Sequence, residues 1–125
     1  MKRHAAREKA FQILFQIDIN QIDPQQAIRE FLQTNKKDPY LYEVVDGVVK
    51  YKDQIDAIIS ENMVNWSIDR IASVEKTIMR IATYEIKFIE DIPTNVSINE
   101  AVELAHTYGD EKSGRFVNGV LSKIV

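Results

Sequence analysis

Apolar residues recur along this chain at intervals of three and four, and strict alternation is nearly absent, which marks amphipathic helices rather than strands. From Arg3 to about Ile19, one stripe is formed by Ala6, Ala10, Ile13, Leu14 and Ile17. Phe11 and Phe15 widen it, while Arg3, Arg7 and Lys9 fall toward its polar margin at the amino end. Asp23-Pro24 then supplies a capping side chain followed by a proline at the first helical position, and Ala27, Ile28, Phe31 and Leu32 predict a short second helix. The polar stretch Gln33 to Lys37 ends it. Asp38-Pro39 repeats the start signal, and Leu41, Val44, Val48, Tyr51, Ile55 and Ile58 predict a single long third helix running to about Glu61 despite Gly47. The valines of Val44–Tyr51 favour a strand, but their period is wrong for one and no neighbouring segment offers a partner.

Ser67 and Ser73 are candidate caps around a short turn. Val74, Ile78, Ile81, Ala82, Ile86 and Ile89 then cover much of a helix's circumference, so this helix should be central and mostly buried. Glu85 stands between Ile81 and Ile89 on that apolar surface, which fits a paired buried carboxylate, an edge of the stripe or an interface site, and a structural hydrogen-bonded role is the favoured reading. Asp91-Ile92-Pro93 breaks the chain, because the residue before proline is pushed away from helical angles. Ser97-x-x-Glu100 reads as a capping box, with Val96 placed to staple onto Ala101. Gly109 is the natural stop of that helix, and Asp110 can cap a last one carrying Phe116, Val117, Val120, Leu121 and Ile124. Gly119 lowers helix propensity inside it, which points to close helix packing. The pattern predicts an all-α fold, a compact bundle of six or seven helices in two halves of about residues 1–61 and 62–125 within one domain.

A chain of 125 residues, 45% of them hydrophobic, can bury one real core. The absence of cysteine excludes a disulfide framework, a thiolate metal site and a cysteine nucleophile. No apolar run approaches a membrane span, and the basic start leads into an amphipathic pattern, so a soluble, cytoplasmic protein is expected. The Asn-x-Ser sequons at Asn65 and Asn95 are read as accidental. Charge is unevenly divided. Residues 1–9 carry Lys2, Arg3, Arg7 and Lys9 against Glu8, a local +3 with His4 neutral, in a chain of net charge −3. A cluster of cations on an acidic body attracts phosphate locally without making the whole molecule adhesive to nucleic acid. The same cations also suit a plain solvated helix face. Enzyme chemistry finds little support. His4 and His106 lack the spacing of a metal-binding pair, and Gly109-x4-Gly114 is followed by Arg115-Phe116 where a phosphate-binding loop requires Lys-Ser/Thr. No metal and no cofactor are expected.

The last third carries a recognisable set of residues. Ile92-Pro93 to Ala105 (IPTNVSINEAVELA), Tyr108-Gly109 and Phe116–Leu121 (FVNGVL) resemble the NusB family of bacterial transcription antitermination factors. Ala6-Arg7-Glu8-Lys9-Ala10 and the Val74–Glu85 segment (VEKTIMRIATYE) resemble it in the same order, so the likeness spans nearly the whole chain. It implies a non-catalytic helical protein that pairs with NusE, a ribosomal protein, and binds the boxA element of nascent ribosomal RNA transcripts beside RNA polymerase. The resemblance places Lys2, Arg3, His4 and Arg7 in a basic amino-terminal stretch and Phe15 at a position expected to face RNA. It places Lys112, Arg115, Phe116 and Asn118 at the opening of an RNA-approaching final helix, and Glu75 on a helix facing NusE. The His4 and Lys112 identities depart from the arginine and the acid common there.

Cations for phosphate and flat side chains for splayed bases are what single-stranded RNA requires, and Arg3, Arg7, Phe15, Arg115 and Phe116 supply both. With roughly four phosphates neutralised, the salt slope would be about −3, modest for an RNA binder acting alone. By helical spacing Phe15 and Phe116 also read as core, and Glu75 in a first turn also serves the helix dipole. Two alternatives stand beside this reading. One is an interaction scaffold that does not touch RNA; the other is an accessory domain of the kind attached to some RNA methyltransferases, for which no following cofactor domain is expected beyond Val125. Self-association of the free protein is compatible with all three.

Overall fold

The computed structural model describes residues 2–35, 38–64 and 67–124, and these form seven α-helices and one 3₁₀ turn with no strand among them. The helices are α1 (Arg3–Asn20), α2 (Pro24–Asn35), α3 (Pro39–Lys50), α4 (Lys52–Glu61), α5 (Ser73–Phe88), α6 (Thr94–Tyr108) and α7 (Ser113–Ile124), with the turn at Ile68–Arg70. The Asn65 sequon and Lys37 lie outside the described residues, as does the side chain of Leu32.

Local chemistry starts several helices as the sequence predicts. The Asp23 carboxylate accepts the Gln26 amide at 3.2 Å, and Asp38 accepts that of Leu41 at 3.0 Å, each just before a proline that pre-sets the helical φ. Asp110 accepts the Lys112 amide at 2.8 Å ahead of α7, and this bond holds its carboxyl below the usual range. Helix α1 is different. It has no side-chain cap and no acid in its first turn, so Lys2, Arg3 and His4 crowd the positive end of its own dipole.

Helix α5 is the axis on which α1, α3, α4, α6 and α7 pack, while α2 rests on α3 and α1. Its residues from Thr77 to Glu85 are all buried, in keeping with an apolar surface that covers most of its circumference. The core continues through Ala6, Ala10, Phe11 and Leu14 of α1, Leu41, Val44, Val45 and Val48 of α3, and Val117, Leu121 and Ile124 of α7. None of the described helices is long and apolar enough to cross a membrane.

Four local expectations are corrected. The predicted third helix is two helices, because the backbone turns aside at Tyr51 (φ −105°, ψ 21°), whose ring stacks on Phe88 of α5 with centroids 4.7 Å apart. Ser97 caps nothing: α6 begins at Thr94 behind Pro93, the Ser97 hydroxyl donates to Glu85 at 2.8 Å, Glu100 turns to α1, and Val96 is exposed rather than stapled. Ser73 likewise spends its hydroxyl on Asp18 rather than on the start of α5, and Ser67 makes no side-chain cap. Gly119 is exposed, and a Cβ there would meet nothing within 4 Å, so close packing is not its purpose.

Candidate nucleic-acid interface

Helices α1 and α6 both pack on α5 and are bridged by long side chains, and most of the residues singled out in the sequence border this seam or follow its end. At the amino end, Lys2 is exposed, and Arg3 reaches Asp91 at 3.3 Å while its guanidinium lies 4.8 Å from the centre of the Tyr40 ring. His4 Nδ1 lies 3.0 Å from Glu100 and 3.7 Å from Glu103. The hydrogen bond to Glu100, with the charge of that carboxylate, raises the His4 pKa above its ordinary 6.5. Donor atoms of His4, Glu100 and Glu103 come within 4.8 Å of one another, so these three could contribute ligands to a metal ion. Glu100 is also held by Arg7 at 3.0 Å, and the cluster is already internally paired.

Arg7 corrects the reading of the basic stretch. It is 5% exposed, and its Nε donates to Glu85 at 2.7 Å while a second nitrogen donates to Glu100. Burial alone would lower its pKa, but the bond and charge of Glu85, with the charge of Glu100 among the further contributions, raise it on balance. Glu85, 1% exposed, also accepts from the Tyr40 hydroxyl and from Ser97. Burial and the bond to Glu85 push the Tyr40 phenol far above its ordinary value, so it stays a protonated donor. Arg7 is therefore a tie between α1, α5 and α6 rather than a free cation, because a buried guanidinium is retained only where carboxylates compensate it.

Farther along the seam, the Tyr108 hydroxyl donates to Glu8 at 3.1 Å and accepts from Gln12 at 3.0 Å. Phe15 is half-buried, stacks on Phe11 with centroids 5.5 Å apart, and lines an open hollow of about 410 Å³ with Gln12, Gln16, Val74 and Tyr108. It is thus neither wholly core nor free. Adjacent to Val74, Glu75 accepts from the Ser113 hydroxyl at 2.8 Å and lines a second hollow of about 280 Å³ with Arg70, Lys112 and Phe116. Phe116 is half-buried, whereas Lys112, Arg115 and Asn118 are exposed.

The opening of α7 and Glu75 are thus brought together. The amino-terminal cations are not beside them. Glu100, against His4, and Tyr108, just before the α6–α7 turn, are eight residues apart on α6, which at 1.5 Å per residue puts them about 12 Å apart along that helix. Along this stretch stand the acids Glu103, 3.7 Å from His4, and Glu8, bonded to Tyr108. Sequence reasoning missed Tyr40, Asp91 and Tyr108 as neighbours of the proposed site. Tyr40 follows Pro39 in a first turn, where nothing local signals a tertiary role.

Frame and surface together define a class, that of all-helical proteins presenting a split cationic edge and half-exposed aromatic side chains on a rigid scaffold. Comparison gives the family. The NusB family model matches residues 4–125, and the chain belongs to the NusB family. It is 57% identical over 125 residues to the transcription antitermination protein NusB of Oceanobacillus iheyensis, covering 100% of this chain and 99% of that one. The corresponding protein of Bacillus subtilis is 53% identical over 124 residues, covering 99% and 95%. Among solved structures, NusB of T. maritima superposes with a TM-score of 0.88 at 36% identity, covering 99% of this chain and 90% of that one. A structure of antitermination factors NusB and NusE in complex with dsRNA gives a TM-score of 0.81 at 34% identity, covering 99% and 97%.

Proposed function

We propose that this protein is a non-catalytic transcription antitermination factor that binds the boxA element of nascent ribosomal RNA together with NusE, in the cytoplasm and beside RNA polymerase. The observation that carries the reading is family membership across residues 4–125 combined with exposed cations at both ends of the α1–α6 seam. A relative of the same fold has been solved with NusE and double-stranded RNA, which supports both partners. In this reading Lys2, Arg3 and His4 meet phosphate at one end, where the positive end of the α1 dipole adds to their field. Lys112, Arg115 and Asn118 do so at the other, and Phe15 and Phe116 offer ring surface to splayed bases from their hollows. Arg7 acts from beneath, and Glu75 faces NusE. The free protein can self-associate through the surfaces its partners later cover.

A fluorescence titration with boxA RNA, with and without NusE, tests this. NusE is expected to tighten binding, and Arg3→Ala with Lys112→Ala is expected to weaken it and to lower the magnitude of the salt slope by about 1.4, two single-strand phosphate contacts' worth. Absence of RNA binding even with NusE would overturn the assignment and leave an interaction scaffold.

A further inference from the structure

The first turn of α1 is poorly held by its own chemistry. It lacks a side-chain cap, lacks an acid, and stacks cations against its dipole, a combination that favours fraying. Arg3 nevertheless has a defined place. Its link to Asp91 joins two side chains that are 49% and 69% exposed, which is a weak restraint in water. The stronger feature is the Tyr40 ring beneath it, 4.8 Å from guanidinium carbon to ring centre, with Arg7 at 5.7 Å from the same centre. The ring is itself fixed from behind: its hydroxyl donates to Glu85, which Arg7 and Ser97 hold in the core. An unbroken chain of contacts thus runs from a fully buried carboxylate to an exposed cation.

We propose that Tyr40 is a positioning residue for RNA binding, its ring serving as the platform that presents the Arg3 guanidinium to phosphate. This rests on the reading above that Arg3 contacts RNA. Ring and hydroxyl have separable duties. The ring face orients Arg3 through cation–π attraction, and the hydroxyl satisfies Glu85.

The test is a titration of boxA RNA in the presence of NusE with Arg3→Ala, Tyr40→Phe, Tyr40→Leu and the Arg3→Ala/Tyr40→Leu double variant, alongside thermal melts. Tyr40→Phe is expected to melt lower yet bind within twofold of wild type, because the ring remains. Tyr40→Leu is expected to bind about two- to fivefold more weakly, the factor that an exposed cation–π contact corresponds to. Once Arg3 is alanine, Tyr40→Leu should weaken binding no further. A full Tyr40→Leu loss in the Arg3→Ala background, or equal losses in Tyr40→Phe and Tyr40→Leu, makes Tyr40 a generic structural residue and overturns the proposal. Weakening by Arg3→Ala with none by Tyr40→Leu overturns the platform alone, whereas unchanged binding in Arg3→Ala removes the RNA role of Arg3 as well. Should Tyr40→Leu not fold, the Arg3 side-chain N–H resonance decides: a ring-current shift kept in Tyr40→Phe and in the RNA complex supports the platform, and its absence overturns it.

Discussion

Helix α1 is fastened to α5 by a polar cluster near each end, and the two clusters are built differently. Near the amino end, Arg7 and Glu85 are 5% and 1% exposed, and Tyr40, Ser97 and Glu100 complete their bonds. Near the carboxyl end, Asp18 takes bonds from Ser73 and Arg80 and lies 3.4 Å from Lys76, while Arg80 also grips Asp56 at 2.7 and 2.9 Å. There the guanidinium is buried, but both carboxylates keep about a fifth of their surface in water, 19% and 17%. The difference teaches where a missing partner can be replaced. Water can reach the Asp18 and Asp56 carboxylates; it cannot easily reach Glu85. The amino-terminal cluster also passes its order outward, through Tyr40 and Glu100 to Arg3 and His4, whereas the other serves the packing of α1, α4 and α5.

The largest expected effect is that of Glu85→Ala, which takes from the core the carboxylate shared by Arg7, Tyr40 and Ser97, leaves Arg7 with Glu100 alone, and should cost about 3–5 kcal/mol in urea unfolding. Replacing Arg7 and Glu85 together by Met and Leu should recover part of that loss, since the two core charges leave together while the Tyr40 and Ser97 hydroxyls still lose their acceptor. Arg80→Ala should cost less, about 1–3 kcal/mol, because its two carboxylates can rehydrate. Equal losses at Glu85 and Arg80 would break the comparison. Acid titration sharpens it. Burial pushes the Asp18 carboxyl up, but Ser73, Lys76 and Arg80 together hold it below its ordinary 3.8. Its contribution is therefore complete above that value and is lost as pH falls through the lower folded value, a loss that Arg80→Ala should diminish.

Gly119→Ala, remote from both clusters and open to solvent, sets the opposite sign of the scale. It should stabilise the protein by about 0.8–1 kcal/mol through helix propensity. The smallest effect belongs to the exposed His4. Its folded pKa is raised by Glu100, so its stabilising contact is complete below the unfolded value of about 6.5 and is lost as pH rises through the higher folded value. Thermal melts between pH 6 and 8 should show a slight fall that Glu100→Gln diminishes, and the imidazole resonances should report the raised pKa directly.

Legibility in the sequence followed the range of the interactions. Asp23-Pro24 and Asp38-Pro39 were readable because cap and proline act within one turn. The Ser97–Glu100 box misled because distant partners, Glu85 and Arg7, claimed both of its side chains. Tyr51 ends α3 for a reason located on α5, and no periodicity within residues 39–61 could carry it. At the candidate site, Lys2 and Arg3 stand out from local charge, whereas His4, Lys112 and Arg115 are marked by the family resemblance. Arg7 could not be told from them, because its place between Ala6 and Ala10 reads as the margin of a stripe until the carboxylate opposite it is known. Glu85 was the one member whose isolation on an apolar surface announced a buried bond.

Gly47 carries a consequence of its own. A Cβ at this position would lie 2.2 Å from the Tyr84 ring, and Tyr84 stacks on Phe88, which stacks on Tyr51. The three rings form a wedge set in the elbow between α3 and α4, with the glycine backbone as its backstop. A methyl group added here would force the Tyr84 ring aside and, through Phe88, disturb the stack that holds Tyr51 at the α3–α4 bend.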